Sequence, residues 1–186
     1  MAAPTSSPSP FADLSILLVD DSEHMLDIVK TMLRAFGVGR VLSAPDGEAG
    51  LAVLKRTAVD VIIVDYQMQS LDGTAFVRKV RADATNPCRE APIIMLTAHA
   101  ERYRVEEARD AGVTEFWRKP VTPVDLYRKL LSVTQTKRAF VRASSFAGPD
   151  RRRRSDAAPE RPDRRAGGKS AEYVDAPRST QERPPR

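Results

Sequence analysis

LSILLVDD, residues 14–21, decides how this chain is read: an unbroken apolar run that stops on two aspartates. The construction recurs. DVIIVD, residues 60–65, ends on Asp65; PIIMLT, residues 92–97, ends on Thr97; TEFWRKP, residues 114–120, ends on Lys119 and Pro120. Runs this short and continuous suit strands covered on both faces, as in parallel sheets. In parallel strands the terminal side chains all emerge at one edge. Open α/β sheets bind their ligands at that edge, near the point where strand order reverses. Three carboxylates, one hydroxyl and one ammonium gathered there make a site for a divalent cation and a phosphoryl group.

Helical patterns fill the gaps. After the strand at 14–20, Ser22 is placed to cap a helix carrying Met25, Leu26, Val29, Met32 and Leu33, with Gly37 as its stop. A short strand is expected at 40–44, then a helix at 47–56 with Ala49, Leu51, Ala52 and Leu54 turned inward. The strand at 59–65 leads through a loop, residues 66–72, to Gly73 and a helix with Ala75, Phe76, Val77 and Val80 on its apolar face. The strand at 93–97 precedes a helix at 101–111 whose stripe, Val105, Ala108 and Ala111, is thin and implies shallow burial. The last strand, 114–117, is followed by a helix from about Val124 with Leu126, Leu130 and Val133 facing in and Thr122 near its cap. Alternating strands and helices argue for right-handed crossovers. The fold class is therefore α/β: a flavodoxin-like, doubly wound, five-stranded parallel sheet in the order 2-1-3-4-5, helices on both faces. That order makes the first and third strands neighbours, so Asp20, Asp21 and Asp65 converge.

Charge divides the chain. Residues 137–186 hold 14 Lys and Arg against 7 Asp and Glu, whereas residues 1–136 hold 16 against 18. The basic character belongs to the tail, and a body near neutrality gives no reason to expect nucleic acid on its surface. The tail is rich in Arg, Pro, Gly and Ala and poor in apolar anchors, so it is read as disordered, as is a leader at 1–12. The folded domain is assigned to 13–136. One cysteine, Cys88, excludes an internal disulfide and fits a reducing, cytoplasmic setting. No apolar run approaches the ~20 residues of a membrane span, so no integral membrane segment is expected. The first thirteen residues lack the basic start and apolar stretch of a secretory signal.

Taken in order, the motifs resemble the receiver domain of bacterial response regulators, of the chemotaxis-regulator type. Asp20-Asp21 ends the first strand; Asp65 is followed by Met68 and by Asp72-Gly73, close to the family's D-x-x-M-P-x-x-x-G pattern; Thr97-Ala98 and Lys119-Pro120 end the last two strands. The resemblance implies a phosphorelay switch rather than an enzyme acting on other molecules: the domain catalyses only its own phosphorylation and dephosphorylation. Asp65 would take a phosphoryl group from a sensor histidine kinase or a histidine phosphotransfer protein and become 4-aspartylphosphate. Asp21 and Asp20, with Asp65 and the backbone carbonyl of Gln67, would hold Mg²⁺. Lys119 would pair with Asp65 and then with a phosphoryl oxygen, and Thr97 would donate its hydroxyl to the phosphoryl group. Phe116, three residues before Lys119, takes the aromatic switch position. Output would run to a partner protein through the face of the fourth helix, fifth strand and fifth helix.

Gln69 replaces the family's usual proline, and the switch aromatic Phe116 is Phe rather than Tyr, without a phenol to hydrogen-bond; Gln67 and His99 occupy positions that in the family tune phosphoryl lifetime. Other readings are weaker. A haloacid-dehalogenase-like phosphatase needs D-x-D on the first strand, whereas Asp20 and Asp21 are adjacent and the nucleophile candidate lies on the third. A flavin carrier needs a Ser/Thr/Gly-rich phosphate loop that does not follow the first strand. His24 reads as a solvated helix residue and Trp117 as packing. The Arg151–Arg154 run leaves an alternative output open: a tail that binds nucleic acid, an anionic membrane or an acidic partner.

Overall fold

Strands and helices alternate through the computed structural model, which describes residues 9–98, 101–135, 140–143 and 146–150. The elements are β1 (Ser15–Val19), α1 (Glu23–Ala35), β2 (Arg40–Ala44), α2 (Gly47–Leu54), β3 (Val61–Asp65), α3 (Gly73–Ala82), β4 (Ile93–Thr97), α4 (Arg102–Ala111), β5 (Glu115–Arg118) and α5 (Pro123–Gln135). A hairpin follows, β6 (Phe140–Ala143) and β7 (Phe146–Pro149). The five strands β1 to β5 form one parallel sheet in the order β2-β1-β3-β4-β5. This is the expected topology.

Strand periodicity divides the core between the two faces of the sheet. Leu17, Val19, Ile62 and Val64 point to one side and meet Phe76, Val77 and Val80 of α3 and Ala108 of α4. Ile16, Leu18, Val61 and Ile63 point to the other and meet Leu26, Val29 and Leu33 of α1 and Leu126 and Leu130 of α5. Every residue of β3 and β4 is buried, which is why both read as continuous apolar runs. The helices begin where short polar side chains take up orphan amides. Ser22 accepts from Met25 N, Asp46 from Ala49 N, Asp72 from Ala75 N and Thr122 from Asp125 N. Gly73 is dictated by closeness: a Cβ there would sit 2.2 Å from the carbonyl oxygen of Asp65.

Three expectations need correction. On α2, Leu54 is buried and Ala49 and Leu51 pack half-buried against the core as expected, but Ala52 is exposed and Gly47 and Gly50 complete the inner face. Glycines let the helix lie against Val19 and Phe76, a contact no apolar pattern advertises. The leader read as disordered over 1–12 contains a core residue: Phe11 is fully buried and meets the ring of Tyr127 edge-on at 5.2 Å. Ser9 donates its hydroxyl to the Phe36 carbonyl and accepts from Phe11 N, tying this segment down. Residues 1–8 lie outside the described residues.

The third concerns the tail. Residues 140–149, read as disordered, include the antiparallel hairpin, Val141 opposite Gly148. The hairpin packs on the C-terminal ends of α3 and α4. Gly112, left-handed at φ 103°, lies so close that a Cβ would meet the Ala147 carbonyl at 2.8 Å. Beneath it Arg81 is 2% exposed; its guanidinium donates to the carbonyls of Gly112 and Arg89 and lies 5.6 Å from the Phe140 ring. Burial pulls the Arg81 pKa down to about 10. The rest of the tail reading, including Arg151–Arg154, lies outside the described residues.

Asp72 gives a test of the capping. Its partial burial pushes the carboxyl up, but the amide of Ala75 and the hydroxyl of Thr74 pull it down further, leaving it below the ordinary 3.8. A depressed folded pKa means the stabilisation is complete above the ordinary value and is lost as pH falls through the lowered one. Asp72→Ala is expected to destabilise the fold by about 1 kcal/mol at pH 7. The gap from wild type should close as the pH drops below 3.8, read from denaturant unfolding across pH. A gap that is independent of pH would contradict the charged cap.

Candidate functional site

Register brings the strand ends together. Val19 pairs with Val64, so Asp20 and Asp65 leave adjacent strands at the same level. Asp65 pairs with Leu96, which puts Thr97 one residue further out on β4. Thr97 pairs with Arg118, so Lys119 follows directly on β5, and its amide donates to the Thr97 carbonyl at 2.8 Å. The Lys119–Pro120 bond is cis.

Asp20, Asp21 and Asp65 each offer a carboxylate oxygen within 4.8 Å of the others. Lys119 spans two of them: its Nζ lies 2.8 Å from Asp65 Oδ1 and 3.3 Å from Asp20 Oδ2. The side chains of Asp20 and Asp65 are only 4% and 9% exposed, whereas Asp21 is exposed. Asp20 also accepts from Ser22 N at 2.9 Å, at the positive end of α1. Asp21 accepts from the backbone amide of Gln69 at 3.1 Å.

The electrostatics are unbalanced. At such separations and an effective dielectric near 20, each carboxylate pair repels by about 3.5 kcal/mol. One ammonium among three carboxylates leaves two formal negative charges. Burial drives the Asp65 carboxyl above its ordinary value, and the hydrogen bond and charge of Lys119 offset that only in part. For Lys119 burial works against the charged form, but Asp65 and then Asp20 outweigh it and hold the ammonium above its usual range. An oxygen-only cluster with surplus negative charge could bind a hard metal cation.

The remaining predicted residues fall around this centre. Thr97 is buried at the end of β4. Gln67 lines a cleft of about 510 Å³ with Asp21, Tyr66, Met68, Gln69 and Glu107. Phe116 is half-buried on β5 and packs against the core on the α4 side of the sheet. Trp117 faces the other way and is core. His24 is exposed on α1, and His99 lies outside the described residues. Cys88 is buried away from the site, accepting from Val59 N, and burial pushes its thiol up. Two features escaped the sequence reading. One is the Gln69 amide. The other is a cluster at the cleft rim, in which Tyr66 donates to Glu107 at 3.4 Å, Arg78 pairs with Glu107, and Arg104 lies 5.2 Å from the Tyr66 ring. Spacing along α4 hints at the rim cluster, but a backbone donor leaves no side-chain signal.

Residues 16–131 match the family model described as the response regulator receiver domain, over more than half of the chain. The chain belongs to that family. Chemotaxis protein CheY-3 of Vibrio cholerae is 36% identical over 118 residues, covering 63% of this chain and 89% of that protein. Chemotaxis protein CheY1 of Helicobacter pylori is 39% identical over 124 residues, covering 66% and 98%. Among solved structures, V. cholerae CheY4 superposes with TM-score 0.61 at 32% identity, covering 64% of this chain and 98% of that one. The receiver domain of a sensor histidine kinase from Pseudomonas aeruginosa, which carries a magnesium ion in its active site cleft, gives 0.60 at 32%, covering 66% and 98%. The chain is thus a receiver of the phosphorylation-dependent switches in two-component systems, which work with histidine kinases and output partners. Among the described residues of this receiver, no helix is long and apolar enough to cross a membrane.

The Asp65–Lys119 contact predicts a titration. In Lys119→Met both influences that lower the Asp65 pKa through Lys119 disappear, so its carboxyl should titrate higher than in the wild type. Carboxyl-carbon NMR across pH reads this directly, and an unchanged midpoint would show that the ammonium is not the group restraining Asp65.

Proposed function

We propose that Asp65 is the phosphoacceptor of this receiver and that Asp20, Asp21, Asp65 and the backbone carbonyl of Gln67 hold a Mg²⁺ ion. One observation carries the reading: three carboxylates within 4.8 Å of one another with Lys119 bonded to the central one. The donor set fits the ion. It is all oxygen, it contains no His or Cys to favour zinc, and its surplus of two negative charges equals the charge a divalent cation brings. When bound, the ion supplies charge neutralisation for the phosphoryl oxygens.

The rest falls to the chain. A carboxylate oxygen of Asp65 attacks phosphorus in line, an O–P bond forms, and the N–P bond of the donor phosphohistidine breaks, with the electron pair leaving on the imidazole. Lys119 follows the charge, releasing the carboxylate oxygen as it turns to a phosphoryl oxygen. Thr97 donates its hydroxyl to another. The product is a mixed anhydride that water hydrolyses, which makes the mark a timed one. The domain thereby catalyses only its own phosphorylation and its reversal.

Readout rests on Thr97 and Phe116. Thr97 drawn toward the phosphoryl group vacates space into which the half-buried Phe116 ring turns. α4 is suited to respond, since only Ala108 and Ala111 are buried and its N-cap residue provides no side-chain cap. The α4–β5–α5 face also exposes Tyr103 and Val124, large apolar groups suited to a protein partner.

Incubation with Mg²⁺ and a small acyl-phosphate donor should add the mass of one phosphoryl group to the wild-type chain. The gain should vanish in Asp65→Asn and in the presence of a chelator. Label that persists in Asp65→Asn would move the acceptor elsewhere, and label that survives chelation would remove the metal from the reaction.

A further inference from the structure

We propose that the backbone N–H of Gln69 is a positioning group for the metal ligand Asp21, and that the N–H rather than the side chain does this work. The inference rests on the reading that Asp21 binds a divalent cation. Asp20 is pinned by Ser22 N and Lys119, and Asp65 by Lys119. Asp21 is the exposed member of the three, and among the described residues its one hydrogen bond comes from Gln69 N at 3.1 Å.

The donor sits on a stiff piece of chain. Leu71 N donates to the Gln69 carbonyl at 2.8 Å across Ser70, whose φ is +67°. This is a γ-turn of the rarer, positive-φ kind, which costs backbone strain. Ser70 is the only non-glycine residue with positive φ among the described residues. Strain of this sort persists where surrounding structure over-determines it, and it gathers at functional sites. The surroundings supply that: Gly73 N donates to the Tyr66 carbonyl at 2.9 Å and closes the loop, and Asp72 caps α3 at its far end. The loop is therefore a closed ring of backbone with one amide aimed at Asp21. Gln67, the proposed carbonyl ligand, belongs to the same ring, so one hydrogen bond sets the carboxylate and the carbonyl relative to each other. Partners that orient a ligand in this way are worth about 10- to 100-fold in metal affinity. Proline, the residue that the family pattern carries at position 69, has no N–H to make the bond.

The test is Mg²⁺ binding by calorimetry to the full chain as wild type, Gln69→Pro and Gln69→Ala. Alanine keeps the N–H and proline removes it. Gln69→Ala should bind within about twofold of wild type and Gln69→Pro about 10-fold or more weakly, with all three unfolding at the same temperature in chelator. Equal affinity of Gln69→Pro and wild type would overturn the proposal, as would equal weakening of both variants. Amide exchange on the wild-type chain gives a reading that does not depend on a variant folding. The Gln69 N–H should be protected and should lose protection in Asp21→Ala; fast exchange in the wild type overturns the proposal. Failure of the wild type to bind Mg²⁺ or to gain a phosphoryl group would instead strike the underlying reading, and the two failures are distinguishable.

Discussion

Everything at the carboxyl edge of the sheet depends on one ammonium shared between two buried carboxylates. Lys119 reaches Asp65 and Asp20 from the last strand of the sheet, and its reach is set by backbone. Its own amide is hooked to the Thr97 carbonyl, so the cation cannot drift without disturbing β4. Remove the ammonium and the interior is left with close carboxylates that ionise only at a cost of several kcal/mol. Even with it, burial holds the Asp65 carboxyl above its ordinary pKa. The strands carry that load because they are buried along their whole length, with β3 and β4 closed at every position.

That imbalance suits the site to a switch rather than a static ion pair. On the proposed reading, a group that arrives with its own charge and oxygens competes for Lys119 and Thr97, and both are joined through backbone to β4 and β5. Next to them lies α4, which buries little apolar bulk. α4 buries two alanines, where α3 buries Phe76, Val77 and Val80. A rearrangement at the strand ends would therefore meet less buried side-chain bulk in α4 than in α3.

The sequence carried the fold and the acidic centre because each is written in side chains at periodic positions. Apolar runs ending on Asp20, Asp65, Thr97 and Lys119 define both the strands and the edge they share. What it did not carry has physical reasons. Phe11 is a single apolar residue in a Pro- and Ser-rich segment, with no period to mark it as core. Arg81 sits on α3 as one more basic residue near a helix end, and nothing local announces that two backbone carbonyls, those of Gly112 and Arg89, will take its guanidinium. The hairpin at 140–149 is short, and its burial partner is the base of α3 and α4 rather than its own sequence. The Gln69 amide is invisible for a deeper reason: every residue but proline has one, and only folding decides where it points.

The hairpin and Arg81 also bear on how α4 is held. Its two ends are held differently. At the C-terminal end, the Gly112 carbonyl takes two hydrogen bonds from the buried guanidinium, and the β7 backbone presses against Gly112 itself. A guanidinium this deeply buried must keep its acceptors, since losing one leaves a desolvated donor unpaired. At the N-terminal end the helix has no side-chain cap and shows Tyr103 to solvent. Buried backbone acceptors thus fix the C-terminal end of α4, while residues 104–107 are held at the surface by the Tyr66–Glu107 hydrogen bond, the Arg78–Glu107 ion pair and Arg104 against the Tyr66 ring.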